Sequence, residues 1–188
     1  MAPGRRPHKT DVLWGAVAEA LVAAYALVSA KGKLTSFRPF SDVDGKDLII
    51  DLAGGFKDIY LQVKCALDLD QYNRIEGTVR LHCEHVPSDP KLVYVFCLLD
   101  TQRIELTRIW VIPAAAFYRR AYRTELANDM VQFNFDCRSG GDERWDEFEV
   151  TRLQLGPKLV ELIQKANRGK RSSRKRDKLE GSWLRLAA

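Results

Sequence analysis

Hydrophobic positions change their spacing several times along this chain, and each change marks an element. From Val12 to Ala30 apolar residues are so dense that a helix is expected, with Asp11 placed to cap its start and Lys31-Gly32-Lys33 to stop it. Leu34–Phe37 reads as a short strand. Asp47–Ala53 and Asp58–Lys64 read as two strands joined at Gly54-Gly55, a strong hairpin signal. Thr78–Glu84 predicts a further strand before Pro87-Ser-Asp-Pro90 breaks the chain. Lys91–Leu99 is an almost unbroken apolar run, which suits a strand covered on both faces. Ile104–Ile112 follows as a strand, Pro113 opens a helix expected to reach about Leu126, Met130–Cys137 alternates as a strand, and Gly156–Ala166 predicts a last helix. Helix, strands, helix, late strand, helix is the order of an α/β fold with a mixed β-sheet flanked by helices.

With 188 residues, 46% of them hydrophobic and 29% charged, the chain can bury one sizeable core and has the composition of a soluble globular domain. The pattern divides it into a basic N-terminal arm (1–10), one domain (11–168) and a basic C-terminal tail (169–188). The four cysteines form no C-x-x-C pair and three lie in strand-like apolar surroundings, which argues against a disulfide framework. His82-Cys83-Glu84-His85 has no second half at zinc-site spacing. The apolar stretch from Val12 falls short of a membrane span, because Trp14, Gly15, Glu19, Tyr25 and Ser29 interrupt it, and Glu19 at its centre argues against a signal peptide. The expectation is a cytoplasmic protein with no membrane partner.

The hairpin carries the chemistry. A two-residue Gly54-Gly55 loop pairs Ala53 with Phe56, which sets Asp47 opposite Gln62, Ile49 opposite Tyr60 and Asp51 opposite Asp58. Lys64 lies two residues beyond Gln62 and therefore on the same face, diagonal to Asp47. A loop longer by two residues still groups Asp47, Gln62 and Lys64, whereas a slip by one residue splits them. One carboxylate, one amide and one lysine on a single face can hold a divalent metal beside a polarised water, which is phosphodiester chemistry. Asp51 falls toward the turn and is the weaker candidate.

Glu19 adds a second carboxylate. Its helical neighbours Gly15, Ala16, Val22 and Ala23 are nearly all small, so the helix can approach the sheet closely. A carboxylate in such surroundings is costly without a compensating cation. The competing reading sets Glu19 at the solvated edge of an amphipathic helix, but that helix has little polar stripe for it to join.

Gly15-x-x-x-Glu19, then Asp47-Leu-Ile-Ile, then Gln62-Val-Lys64-Cys resembles the core of the PD-(D/E)XK nuclease superfamily over roughly residues 11–65. Val93–Phe96 and Ile109–Pro113 resemble the rest of that restriction-endonuclease-like fold more loosely. The resemblance implies a metal-dependent endonuclease. Asp47, Gln62, the carbonyl of Val63 and Glu19 would hold Mg²⁺ or Mn²⁺, and Lys64 would position the attacking water. Two positions depart from the pattern. Lys46 stands where proline is usual, and Gln62 replaces an Asp or Glu, removing one negative charge while keeping an oxygen that a hard cation accepts.

Net charge is +5, and it is unevenly spread. From Lys165 onward nine basic residues face two acids, a local +7, leaving the body at −2. The tail residues Lys170, Arg171, Arg174, Lys175 and Arg176 fit a nucleic-acid-binding arm or a solvated tail. Arg119, Arg120 and Arg123 follow on the expected helix, where Arg119 and Arg123 would share a face and contact phosphates. Trp14, Trp110 and Trp145 read as core or strand residues rather than stacking platforms. The leading expectation is therefore a Mg²⁺-dependent endodeoxyribonuclease acting on DNA, with RNA left open as a partner. A homodimer suits it, because cutting a duplex on both strands usually needs two sites. The alternative is a catalytically inactive nuclease-like module that keeps nucleic-acid binding or another interaction.

Overall fold

The structure, a computed structural model, describes residues 9–39, 45–55, 57–85, 89–138 and 140–168. The tail residues Lys170, Arg171, Arg174, Lys175 and Arg176 lie outside the described residues, as does all but the end of the N-terminal arm. The element order is α1 (Lys9–Ser29), β1 (Leu34–Phe37), β2 (Leu48–Leu52), β3 (Asp58–Ala66), β4 (Arg74–His82), β5 (Leu92–Asp100), β6 (Glu105–Pro113), α2 (Ala114–Arg120), β7 (Tyr122–Glu125), β8 (Met130–Arg138), β9 (Glu149–Val150) and α3 (Arg152–Arg168).

The expected mixed sheet is present: six strands in the order β1-β2-β3-β5-β6-β9, antiparallel at every pairing except the parallel β3–β5. A second, three-stranded antiparallel sheet, β4-β8-β7, covers part of it. On one face of the large sheet α1 and α3 close a core around Val22, Ala26, Leu61, Val95 and Leu159. On the other face the small sheet and α2 close a second core around Phe96, Trp110, Phe117, Phe135 and Trp145. β5 lies in both cores and is buried almost throughout, as its unbroken apolar run requires.

α1 sets its Ala18, Val22, Ala26 and Ala30 side into the first core, at the four-residue spacing of one helix face. It ends where Lys31 and Gly32 both take positive φ, so the expected stop signal acts through left-handed backbone. Its Val12–Ser29 stretch has the length and composition of a membrane-crossing helix, closer to that limit than its polar interruptions imply.

α1 crosses α3 at Gly156. A Cβ there would come within 2.4 Å of the Ala26 carbonyl oxygen and 2.5 Å of the Ala30 nitrogen, so only glycine fits. The Gly156 N–H donates to Ser29 Oγ at 2.8 Å, and that hydroxyl donates in turn to the Tyr25 carbonyl at 2.6 Å. α3 begins at Arg152, earlier than the expected Gly156. One half of a capping box marks this start: Thr151 precedes the helix, and the Gln154 side chain accepts the Thr151 N–H at 2.9 Å.

A larger correction concerns the helix expected from Pro113 to Leu126. α2 ends at Arg120, Ala121 is extended, and Tyr122–Glu125 pairs with β8 as a strand. Asn128 and Asp129 both take positive φ and Leu126 N–H bonds to the Met130 carbonyl at 2.8 Å, so a tight hairpin turn captures the segment. Arg119 and Arg120 therefore end a helix while Arg123 lies on a strand, and no helical face joins Arg119 to Arg123.

Candidate active site on the β2–β3 hairpin

The β2–β3 register is the one expected from the two-residue loop: Leu48 pairs with Leu61, Ile49 with Tyr60 and Asp51 with Asp58. Gly54 has φ of +75°, and the turn closes with Gly55 N–H on the Leu52 carbonyl at 3.0 Å. Strand parity then sorts the side chains. Ile59, Leu61 and Val63 enter the helix-covered core, so Asp58, Tyr60, Gln62 and Lys64 face the opposite side. That face is covered by the small sheet above β5 and β6, whereas above β1 and β2 none of the described elements packs on it. Phe37, on this part of β1, is 56% exposed.

β2 begins at Leu48, one residue later than expected, and the reason lies in Asp47. Its N–H bonds to the Leu61 carbonyl at 2.9 Å, and its carboxylate turns along the strand edge to accept the Val63 N–H at 2.6 Å. A side chain thus takes the place of the next backbone acceptor in the ladder. On a β-strand the N–H and C=O of one residue leave by the same edge, so the Val63 carbonyl also lies on the Asp47 side. Gln62 is seated close by: a Cβ on Gly45 would lie 2.9 Å from Gln62 Nε2, and Gly45 has φ of +61°. The amide therefore packs directly against the backbone that leads into Asp47. The structure thus sets Asp47 on the Val63 amide and Gln62 against Gly45, with Lys64 two residues beyond Gln62 on the same face of β3.

Glu19 lies on α1, on the helix-covered side of the sheet and so across it from the Gln62 and Lys64 side chains; a quarter of its side chain is exposed, and a compensating cation is present. Arg38, one residue beyond β1, bonds it at 2.9 Å and also donates to the Ala16 carbonyl at 3.3 Å. Neither the length of α1 nor its composition pointed to Arg38 as this partner.

Two further lysines border the site. Lys46 sits 4.7 Å and Lys91 5.8 Å from the centre of the Tyr60 ring. Lys91 also pairs with Asp58. Partial burial acts to raise the Asp58 carboxyl, but the hydrogen bond and charge of Lys91 outweigh it and hold Asp58 below its ordinary value. The sequence marks Lys46 only as a departure from the family pattern and Lys91 only as the start of an apolar run, although Lys46 adjoins Asp47 and Lys91 immediately precedes β5, the parallel neighbour of β3. Beneath Lys64, Cys65 and Cys97 stand opposite each other in that register. Cys65 Sγ donates to the Ala66 carbonyl and Cys97 Sγ to the Lys64 carbonyl, and the adjacent Cys65, together with burial, pushes the Cys97 thiol well above its ordinary value.

The other arginines fare differently. Arg120 donates to the Arg144 carbonyl at 2.7 Å, pairs with Glu147 and lies 4.8 Å from the Phe148 ring centre, which ties it to the fold. Arg119 is exposed, and Arg123 pairs with Glu125 at 3.4 Å near the surface. Trp110 and Trp145 are fully buried, as read from the sequence.

Among the described residues no three His, Cys, Asp or Glu side chains group closely enough to hold a metal. The hairpin offers a different set: one carboxylate, one amide oxygen and one backbone carbonyl. All are hard oxygen donors of the kind Mg²⁺ takes, usually together with several waters, so the set fits such a cation.

No family model matches this chain, and no curated protein matches it. Among solved structures it is similar to a bacterial homing endonuclease, I-Ssp6803I, with a TM-score of 0.50 and 14% sequence identity over 89% of this chain and 99% of that one. With its mixed sheet flanked by helices, the chain has a nuclease-like α/β fold.

Proposed function

We propose that the protein is a metal-dependent endonuclease of PD-(D/E)XK type that hydrolyses DNA phosphodiester bonds at the β2–β3 hairpin. The observation that carries this reading is the Asp47 carboxylate on the Val63 amide, which holds Asp47 against the Val63 edge of β3, one residue from Gln62 and Lys64. Asp47, Gln62 and the Val63 carbonyl, with Glu19 from α1, would hold Mg²⁺ or Mn²⁺. Bound there, the cation would polarise the scissile phosphate and lower the pKa of a bound water. Lys64 positions the attacking water and supplies positive charge where the transition state gains negative charge. Arg38 pairs with the Glu19 carboxylate at 2.9 Å. Lys46 and Lys91 add positive potential along the open face, where a phosphate backbone would approach.

A homodimer belongs to this reading, since cutting both strands of a duplex calls for two sites. A cytoplasmic location is proposed with it. The test is the conversion of supercoiled plasmid, linear duplex and branched DNA by the full-length protein with Mg²⁺ or Mn²⁺ and with chelator, beside Lys64→Ala and Asp47→Ala. Metal-dependent cutting that both substitutions abolish supports the assignment, and equal cutting by all three proteins removes it. Metal-independent binding without cutting by the wild type would favour the inactive-module reading.

A further inference from the structure

The outward side of the small sheet carries an ordered polar array that the hairpin site does not use. Ile75 and Val79 on β4, and Val131, Phe133 and Phe135 on β8, point into the second core, so the alternate residues point out. The strand registers arrange these in rows. Arg80, Gln132 and Thr124 form one row across β4, β8 and β7, and Thr78, Asn134 and Tyr122 form the next. Neither row contains an acid or a lysine.

The side chains are tied to one another. Arg80 Nε donates to Gln132 Oε1 at 2.8 Å, Gln132 Nε2 donates to Asn134 Oδ1 at 2.8 Å, and Thr78 Oγ1 donates to the same oxygen at 3.3 Å. Arg144 Nη2 donates to the Tyr122 hydroxyl at 2.7 Å, with its guanidinium 4.2 Å from the centre of that ring. The acids Glu76 and Asp136 begin only in the third row, and Arg74 answers them at 3.5 and 2.8 Å. The solvated face of an antiparallel sheet has no need for side chains fixed in this way, and fixing them removes entropy that binding would otherwise cost.

Both hydrogen bonds to Asn134 fall on its oxygen, and Arg80 is held through Nε, so among the described residues Asn134 Nδ2 and the two Nη groups of Arg80 remain as donors on the outward face. Their natural complements are the acceptor-rich edges of purines in the DNA major groove. An arginine fork matches guanine O6 and N7, and an amide N–H matches a purine N7. Three strands about 4.8 Å apart span roughly 10 Å, inside the roughly 12 Å width of that groove, and β-sheets do read DNA in this way. The array also lies beside the hairpin. Gly77 on β4 presses onto Phe96, and Phe96 is the β5 residue in register with Lys64.

We infer that the outward face of β4-β8-β7 is a base-reading surface for duplex DNA, with Arg80 selecting guanine and Asn134 a neighbouring purine. The inference rests on the nuclease reading. It is tested by selecting duplexes from a randomised 25-base-pair library, in chelator, with the full-length wild type, Arg80→Lys, Arg80→Ala and Asn134→Ala. The wild type is expected to enrich a guanine-containing motif. Both Arg80 variants should lose the guanine preference by roughly 5- to 100-fold. Arg80→Lys should keep its affinity for unselected duplex within about threefold, because it retains the charge but not the fork. Asn134→Ala should lose preference at an adjacent purine. Enrichment of the same motif by all four proteins would overturn the inference. So would a wild type that cuts plasmid but enriches no motif, a result that leaves the nuclease reading standing. A wild type that neither binds nor cuts DNA overturns both.

Discussion

The Asp47 carboxylate accepts the Val63 N–H at 2.6 Å, so a side chain completes the ladder where β2 has ended. This contact gives Asp47 a structural duty beside its proposed chemical one, and the two separate by substitution. Asp47→Asn keeps an oxygen for Val63, whereas Asp47→Ala leaves that amide without it, at a cost of about 1–2 kcal/mol. Urea titration should find Asp47→Ala less stable than Asp47→Asn by about 1 kcal/mol, with cutting lost in both. Equal stabilities would show that the hydrogen bond contributes nothing.

Gly45 supports Gln62 from below. Its positive φ costs a side chain about 1–2 kcal/mol, and an added Cβ would also push the Gln62 amide aside. Gly54→Ala is the natural control, since its φ of +75° imposes similar strain with no atom within 4 Å of the new Cβ. Both variants should lose similar stability in thermal melts. Only Gly45→Ala should require about tenfold more Mg²⁺ for half-maximal cutting. A matching shift in Gly54→Ala would detach Gln62 from the metal.

The Glu19–Arg38 pair is partly exposed, so breaking it should cost no more than about 1 kcal/mol of stability. Its effect on cutting should be lopsided. Glu19→Gln is expected to raise the Mg²⁺ needed for half-maximal rate by about tenfold, with recovery at high metal, because it removes an anionic ligand. Arg38→Ala releases that carboxylate and should not raise the requirement. If both variants behave alike, Glu19 serves only the ion pair.

At Gly156 the usual helix rule should reverse sign. Replacing an interior helical glycine with alanine normally gains about 0.5–1 kcal/mol. Here the methyl group would strike the α1 backbone, and overpacking costs about 1–3 kcal/mol. A fall of at least 3 °C in Tm is expected by calorimetry. A rise would mean that α1 and α3 do not cross closely at this point.

The hairpin was legible because its register follows from a two-glycine turn and the two-residue period of a strand, both of which are local. The double burial of β5 was legible for the same reason, from an unbroken apolar run. What escaped the sequence was decided by partners distant along the chain. Residues 121–125 carry helix-compatible side chains, yet pairing with β8 and the Asn128-Asp129 turn draws them into a strand. Glu19 looked in need of a cation, but Arg38 became that partner only once β1 had laid its end against α1. The small sheet was hidden because β4 follows β3 in sequence yet joins β8 instead. The early start of α3 is a different matter: Thr151-x-x-Gln154 is a local signal, and Gly156-Pro157 masked it.

Lys64, on the same face of β3 as Gln62, is proposed to act in hydrolysis rather than in binding. Single-turnover cleavage of an end-labelled duplex in Mg²⁺, measured beside the duplex Kd in chelator, tests it most directly. Lys64→Ala should cleave roughly 10²–10³-fold more slowly, with Kd changed by less than about threefold. Cleavage at the wild-type rate, or a rate loss matched by an equal loss of affinity, would contradict it.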